Sequence, residues 1–194
     1  STLKEPYRIE GKKTMGYEIA EQGNWELPDV ILYPAGGGTG LIGIWKAFKE
    51  MKKIGWLPED TKLPRMVAVQ AENCRPLVET FYGRQANAHN YVGRPTIANG
   101  LAVPRPLGEQ LMLQTLQESW GTAISISEQE MITGLKELGA SEGLFVAPEG
   151  AAVWMATRKL VDTGCISPDE KIFLLNTGSG QKYMENLSGV FGED

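Results

Sequence analysis

The chain has 194 residues, 42% hydrophobic and 22% charged, with a formal net charge of −5. This is the profile of a globular chain long enough for one large domain, and it excludes a disordered one. The acidic balance speaks against nucleic acid as a partner, and no apolar run approaches the roughly 18 residues that cross a bilayer. No secretory leader pattern opens the sequence, so a cytoplasmic location is expected. Two distant cysteines, Cys74 and Cys165, and a single histidine, His89, give neither a disulfide framework nor a zinc-ligand spacing, so no metal site is expected.

Residues 1–11 read as extended or loop, and "KKTMGYEIAEQ" (12–22) as a helix. "DVILY" (29–33) is a short apolar strand between Pro28 and Pro34. Residues 40–54 place Leu41, Ile44, Trp45, Phe48 and Met51 close to the i, i+3, i+4, i+7 series of an amphipathic helix, which Gly55 stops. "RMVAVQA" (65–71) is the next strand, and 75–83 a helix with Pro76 in its first turn. Residues 84–104 read as a long polar loop. The pattern resumes with a helix over 106–120, a strand over 121–127 and a helix over 128–139. Ser127 and Glu130 form a capping box for that last helix. A strand over 143–147, a helix over 149–163, a strand over 171–177 and a final turn and helix complete the series.

Strands alternate with helices, and the apolar runs do not alternate with polar residues. Strands of that kind are covered on both faces. The expected fold is therefore α/β, a three-layer αβα arrangement with a mostly parallel sheet, over 1–194 as one domain.

The stretch "ILYPAGGGTGLIGIWKAF" (31–48) runs from strand to helix through glycine. Such a turn points backbone N–H groups inward, and the helix N-terminus adds about half a positive charge. An anion is expected there. Two patterns overlap. "GTGLIG" (Gly38, Gly40, Gly43) fits a dinucleotide fingerprint, with Glu72 as the ribose partner, although Glu72 lies further on than the usual ~20 residues. "AGGGTG" fits a cradle for a single phosphate. A mononucleotide loop is a poorer match, because no Gly-Lys-Ser/Thr follows.

Six segments then occur in order: "EGKKTMGYEIAEQ" (10–22), "DVILYPAGGGTGLIGIWKAF" (29–48), "VAVQAENCRP" (67–76), "PTIANGLAVPRP" (95–106), "FVAPEGAAVWMA" (145–156) and "FLLNTGSGQKY" (173–183). Together they resemble the fold-type II pyridoxal-phosphate enzymes, the threonine synthases most closely. The resemblance runs over nearly the whole chain but only over the C-terminal part of such an enzyme, so a C-terminal fragment is expected. It implies that Gly36, Gly37, Gly38 and Thr39, with Gly40 possible, grip the phosphate of pyridoxal 5′-phosphate. It further implies that Thr177 meets the cofactor's pyridine nitrogen. Glu149 is read either as a helix N-terminal acid or as a neighbour of the cofactor ring. Asn99 is read as a turn residue, and His89 and Arg94 as solvated loop positions.

The resemblance also implies a lysine that anchors the cofactor as a Schiff base, in a Ser-x-Lys context upstream. No lysine of this chain has that context. No catalytic residue is therefore assigned within the chain, and the isolated fragment is expected to be inactive. The implied parent activity is conversion of O-phospho-L-homoserine and water to L-threonine and phosphate. A threonine or serine ammonia-lyase of the same fold is the alternative, because the all-glycine turn is shared with those enzymes. A dinucleotide-binding protein is a further one. The expected partners are a small amino-acid substrate and, for an exposed fragment face, a second copy in a homodimer.

Overall fold

The computed structural model describes residues 3–188. Its sheet has four strands: β1 (Val30–Pro34), β2 (Arg65–Ala71), β3 (Thr122–Ile126) and β4 (Ile172–Leu174). Their order is β3-β2-β1-β4, and every pairing is parallel. The helices are α1 (Tyr7–Gln22), α2 (Thr39–Lys53), α3 (Pro76–Phe81), α4 (Glu109–Glu118), α5 (Glu128–Glu142), α6 (Pro148–Asp162) and α7 (Met184–Leu187).

Strand residues alternate between two cores, as the two-residue pleat requires. Ile31, Tyr33, Met66 and Ala68 pack with Leu41, Ile44, Phe48, Leu77, Met112 and Leu116 of α2, α3 and α4. Val30, Leu32, Val67 and Val69 face the other way, onto Met131, Ala152, Val153 and Ala156 of α5 and α6. The three-layer αβα expectation holds, and both faces of β1 and β2 are covered.

The connections decide where a site can form. From β1 the chain moves outward through β2 to β3 along one side of the sheet. It then returns through α5 and α6 on the opposite face to place β4 on the other side of β1. Winding reverses between β1 and β4. In open α/β sheets a crevice opens outside the carboxyl ends of the strands at that reversal.

Several element boundaries differ from the sequence reading. The first helix starts at Tyr7, behind Pro6, and so includes residues read as loop. The strand expected over 143–147 does not form. Helix α5 runs on to Glu142 and ends on Gly143 at φ 66, which leaves too few residues before Pro148 opens α6. Only Val146 makes an isolated antiparallel bridge, to Ser179. The strand expected over 171–177 is short, because β4 has β1 as its one neighbour in the sheet and the chain then enters the Asn176-Thr177-Gly178 segment. The loop over 84–104 contains a single 3-10 turn, Asn99–Leu101. Acidic side chains pin this loop. Glu109, buried, accepts from the Ala88 amide at 3.0 Å, and Glu128 from the Ile97 amide at 2.8 Å. The capping box is present as read, with the Ser127 amide donating to Glu130 at 2.8 Å and the Glu130 amide to Ser127 Oγ at 3.3 Å. Among the described residues no helix is long and apolar enough to cross a membrane.

Helices α2 and α4 are tied at their outer ends by Glu118. It accepts from Lys49 Nζ at 2.6 Å and from Trp45 Nε1 at 2.7 Å, while Gln114 reaches its other oxygen at 2.6 Å. Lys49 first, then Trp45 and Gln114, hold its carboxyl down to about 2, from an ordinary 4.5. A depressed folded-state value means stability present above the unfolded value and lost as pH falls through the folded one. The residue is exposed, so solvent screening keeps the contribution to about 1 kcal/mol at most. Glu118→Gln is therefore expected to lower the unfolding free energy at pH 7 by about that amount. The gap from the unaltered chain should narrow steadily as urea denaturation is repeated below pH 5; a gap independent of pH contradicts the assignment.

Candidate active site

At the end of β1 the chain reads Pro34-Ala35-Gly36-Gly37-Gly38-Thr39. The Ala35 amide still belongs to the sheet, donating to Val69 O at 2.8 Å. Beyond it the amides of Gly36, Gly37 and Gly38, and that of Thr39 at the start of α2, find no acceptor among the described residues. The first α2 amide closed back onto the turn is Ile42, to Gly38 O at 3.0 Å.

Two of these glycines are required by space. Gly38 sits at φ 78, the left-handed region, and a Cβ there would overlap Met112 Sδ from α4. A Cβ on Gly36 would run into the Gly100 carbonyl. The turn is thus pressed between α4 below and the 99–101 turn beside it, with its amides open to one side.

That side is a cleft of about 520 Å³. Gly36, Gly37, Gly38 and Thr39 form one wall, and Tyr33, Pro34, Val103 and Ala147 form an apolar floor. Thr177 and Gly178 come from beyond β4, Glu149 from the first turn of α6, and Lys182 and Tyr183 from the following 3-10 turn. The structure therefore brings the glycine turn and Thr177 to one cleft. Thr177 is exposed, lies past the end of β4, and its hydroxyl has no hydrogen-bond partner among the described residues.

Gly40 lies one residue into α2. Its amide is directed at the phenol oxygen of Tyr33, whose ionisation is pushed up by burial and eased down by that amide. Glu149 is buried at 5% exposure, follows Pro148 at the start of α6 as the helix-start reading has it, and lines the cleft. Its Oε1 accepts from the Gly100 amide at 2.7 Å and from the Tyr183 phenol at 2.5 Å. Burial first, then the Glu149 carboxylate, pushes the Tyr183 phenol up to about 12, so it remains a donor across the ordinary pH range.

Asn99 opens the 3-10 turn, and its neighbour Gly100 is the residue that reaches the cleft. His89 and Arg94 are exposed and stand outside the cleft. Glu72 is also away from it, ion-paired with Arg75 at 3.7 Å, so the ribose partner of the dinucleotide reading is misplaced. Tyr33, Lys182 and Tyr183 were not singled out in the sequence. Tyr33 was visible only as a strand residue. The 180–183 turn carried no periodic signal, and its approach to α6 is a tertiary fact.

At the winding reversal of the parallel sheet, the open amides of the glycine turn and the Thr177 hydroxyl share one cleft. The chain belongs to the pyridoxal-phosphate-dependent enzymes: the model of that family, "Pyridoxal-phosphate dependent enzyme", matches residues 1–178. It is 35% identical over 177 residues to the threonine synthase of Methanocaldococcus jannaschii, covering 91% of this chain and 43% of that protein. It is 35% identical over 173 residues to the threonine synthase of Methanosarcina acetivorans, covering 89% of this chain and 42% of that one. The chain thus spans less than half the length of these relatives. Among solved structures, a threonine deaminase from T.th. superposes with a TM-score of 0.66 at 23% identity, over 88% of this chain and 57% of that one. A fungal L-serine ammonia-lyase from Rhizomucor miehei superposes with a TM-score of 0.68 at 18% identity, over 91% and 56%. These two share the α/β fold.

The packing around Gly38 gives a direct check. Gly38→Ala is expected to destabilise the chain by about 1–3 kcal/mol, combining left-handed strain with the Met112 overlap. Urea denaturation without ligand measures it. A cost no larger than that of an exposed helix Gly→Ala change contradicts the packing described.

Proposed function

We propose that this chain is the cofactor-phosphate-holding part of a cytoplasmic threonine synthase, which converts O-phospho-L-homoserine and water to L-threonine and phosphate. The observation that carries the reading is the set of unpaired amides at Gly36–Thr39 facing a cleft that also holds Thr177. The 35% identity to two threonine synthases supports the choice within the family. The all-glycine turn favours a second reading, a threonine or serine ammonia-lyase.

The residues fit the cofactor. Gly36, Gly37, Gly38 and Thr39 would hold a dianionic phosphate through backbone donors, with the Thr39 hydroxyl and the α2 dipole adding to them. Gly40, with its amide directed at Tyr33, would act through that phenol. Pyridoxal phosphate supplies an electron sink for bonds at the amino-acid α carbon. Thr177 offers the ring nitrogen a hydroxyl. An uncharged hydroxyl does not enforce protonation there as a carboxylate would, which suits elimination and replacement at the β and γ carbons. Val103, Pro34 and Ala147 keep one side of the cleft apolar and exclude water from it. The lysine anchor would come from the remainder of the parent polypeptide.

The test is product analysis with the natural full-length protein. Inorganic phosphate and threonine should appear from O-phospho-L-homoserine, while threonine and serine should release ammonia at least a hundredfold more slowly, roughly 3 kcal/mol of discrimination. Ammonia as the faster product assigns the protein to the lyases instead. The isolated chain should release neither product.

A further inference from the structure

The charged groups of the cleft are arranged by sign. The amides of Gly36–Thr39 and the start of α2 form one wall, which attracts negative charge. Across it stands Glu149, a buried carboxylate that makes no ion pair with any described residue. Lys182 also lines the cleft but is exposed and lies outside salt-bridge distance of Glu149. Both groups bonded to Glu149, the Gly100 amide and the Tyr183 phenol, meet the same oxygen, Oε1. Oε2 has no partner among the described residues and is not sealed from solvent, and Glu149 lines the cleft. The gap between the two walls is short, because Gly100, held by Glu149, abuts Gly36 through its carbonyl.

We infer that the cleft is built for a dipolar ligand, its phosphate on Gly36–Thr39 and an ammonium or other cationic N–H group on Glu149 Oε2. Tyr183 is the positioning residue that turns this oxygen toward the ligand. A buried carboxylate without a cation is costly, and a ligand cation relieves that cost. The phenol acts by occupying Oε1 at 2.5 Å, which leaves Oε2 for the ligand. With Tyr183 removed, the Gly100 amide still meets Oε1, so the contact beside Gly36 remains while the carboxylate is fixed by one bond instead of two. This assignment rests on the phosphate-cradle reading above and adds the second pole and the residue that sets it.

Calorimetric titration of the natural full-length protein, stripped of cofactor, with two probes tests it: pyridoxamine 5′-phosphate, which carries both charges, and inorganic phosphate, which carries one. Pyridoxamine 5′-phosphate should bind at least tenfold more tightly than phosphate. Tyr183→Phe should weaken pyridoxamine 5′-phosphate about tenfold, the scale of one charge-assisted hydrogen bond. It should leave phosphate within twofold. Glu149→Gln should do the same, and it carries the comparison if Tyr183→Phe has lost its cooperative thermal transition. Unchanged pyridoxamine 5′-phosphate binding in the variants, or equal weakening of both probes, overturns the role given to Tyr183 and Glu149 while leaving the phosphate cradle standing. Failure of the unaltered protein to bind either probe overturns the cradle and this inference together.

Discussion

The whole arrangement depends on backbone N–H donors that the sheet cannot use. A parallel strand ends its ladder at a definite residue, and here that residue is Ala35, whose amide still meets Val69 O. The next donors emerge where the chain bends into α2 through Gly38 at φ 78, a conformation that favours glycine. Leaving such donors without a partner costs free energy wherever water is excluded. An anion of three oxygens satisfies several at once, and the open end of α2 adds its dipole to the same point. Every nearby contact preserves this state. Met112 fills the space beneath Gly38, the Gly100 carbonyl abuts Gly36, and Tyr33 receives the amide of Gly40.

Topology then supplies the rest of the site. Because winding reverses between β1 and β4, the segment after β4 emerges beside the glycine turn without being obstructed by a covering helix. Thr177 reaches the cleft by that route. α6 enters from the opposite face, and its buried first turn delivers Glu149. A single carboxylate oxygen joins α6, the 99–101 turn and the 180–183 turn, three segments far apart in sequence. The cleft wall is therefore assembled by a polar contact and not by packing alone. Replacing that oxygen by an apolar group would leave the Gly100 amide without its acceptor.

The layers, the parallel sheet and the glycine turn were legible in the sequence, because each has a local signal. Unbroken apolar runs mark doubly covered strands, as in "MVAVQ". Heptad-like spacing marks α2, and Ser127 with Glu130 marks the start of α5. The failures share a cause. "GLFVA" has strand composition, but the αL cap at Gly143 and the proline opening α6 leave it almost no length. β4 was read too long because an edge strand is limited by its neighbour and not by its own residues. The α1 start was hidden by Gly11, a poor helix residue that tertiary packing overrides. Thr177 was found from a motif in order with others. Tyr183 could not be found that way, since its role exists only once α6 brings Glu149 to it.

A phosphate site made of backbone atoms tolerates wide change in side chains, provided glycine remains where a Cβ would collide. Its backbone nature also limits what it can specify, because amides and a helix dipole grip any suitable phosphate alike. Side chains that project into the cleft supply the chemistry that backbone amides lack. In this chain those include Thr177, Glu149, Lys182 and Tyr183. Two of the four sit on the 180–183 turn, which is tied to the core by the Gly180 amide donating to Phe145 O at 2.9 Å, by the Tyr183–Glu149 bond and by Tyr183 packing on Leu135, Leu138, Val146 and Ala151. None of these ties reaches Gly36–Thr39, so the side chains of this turn vary independently of the open amides.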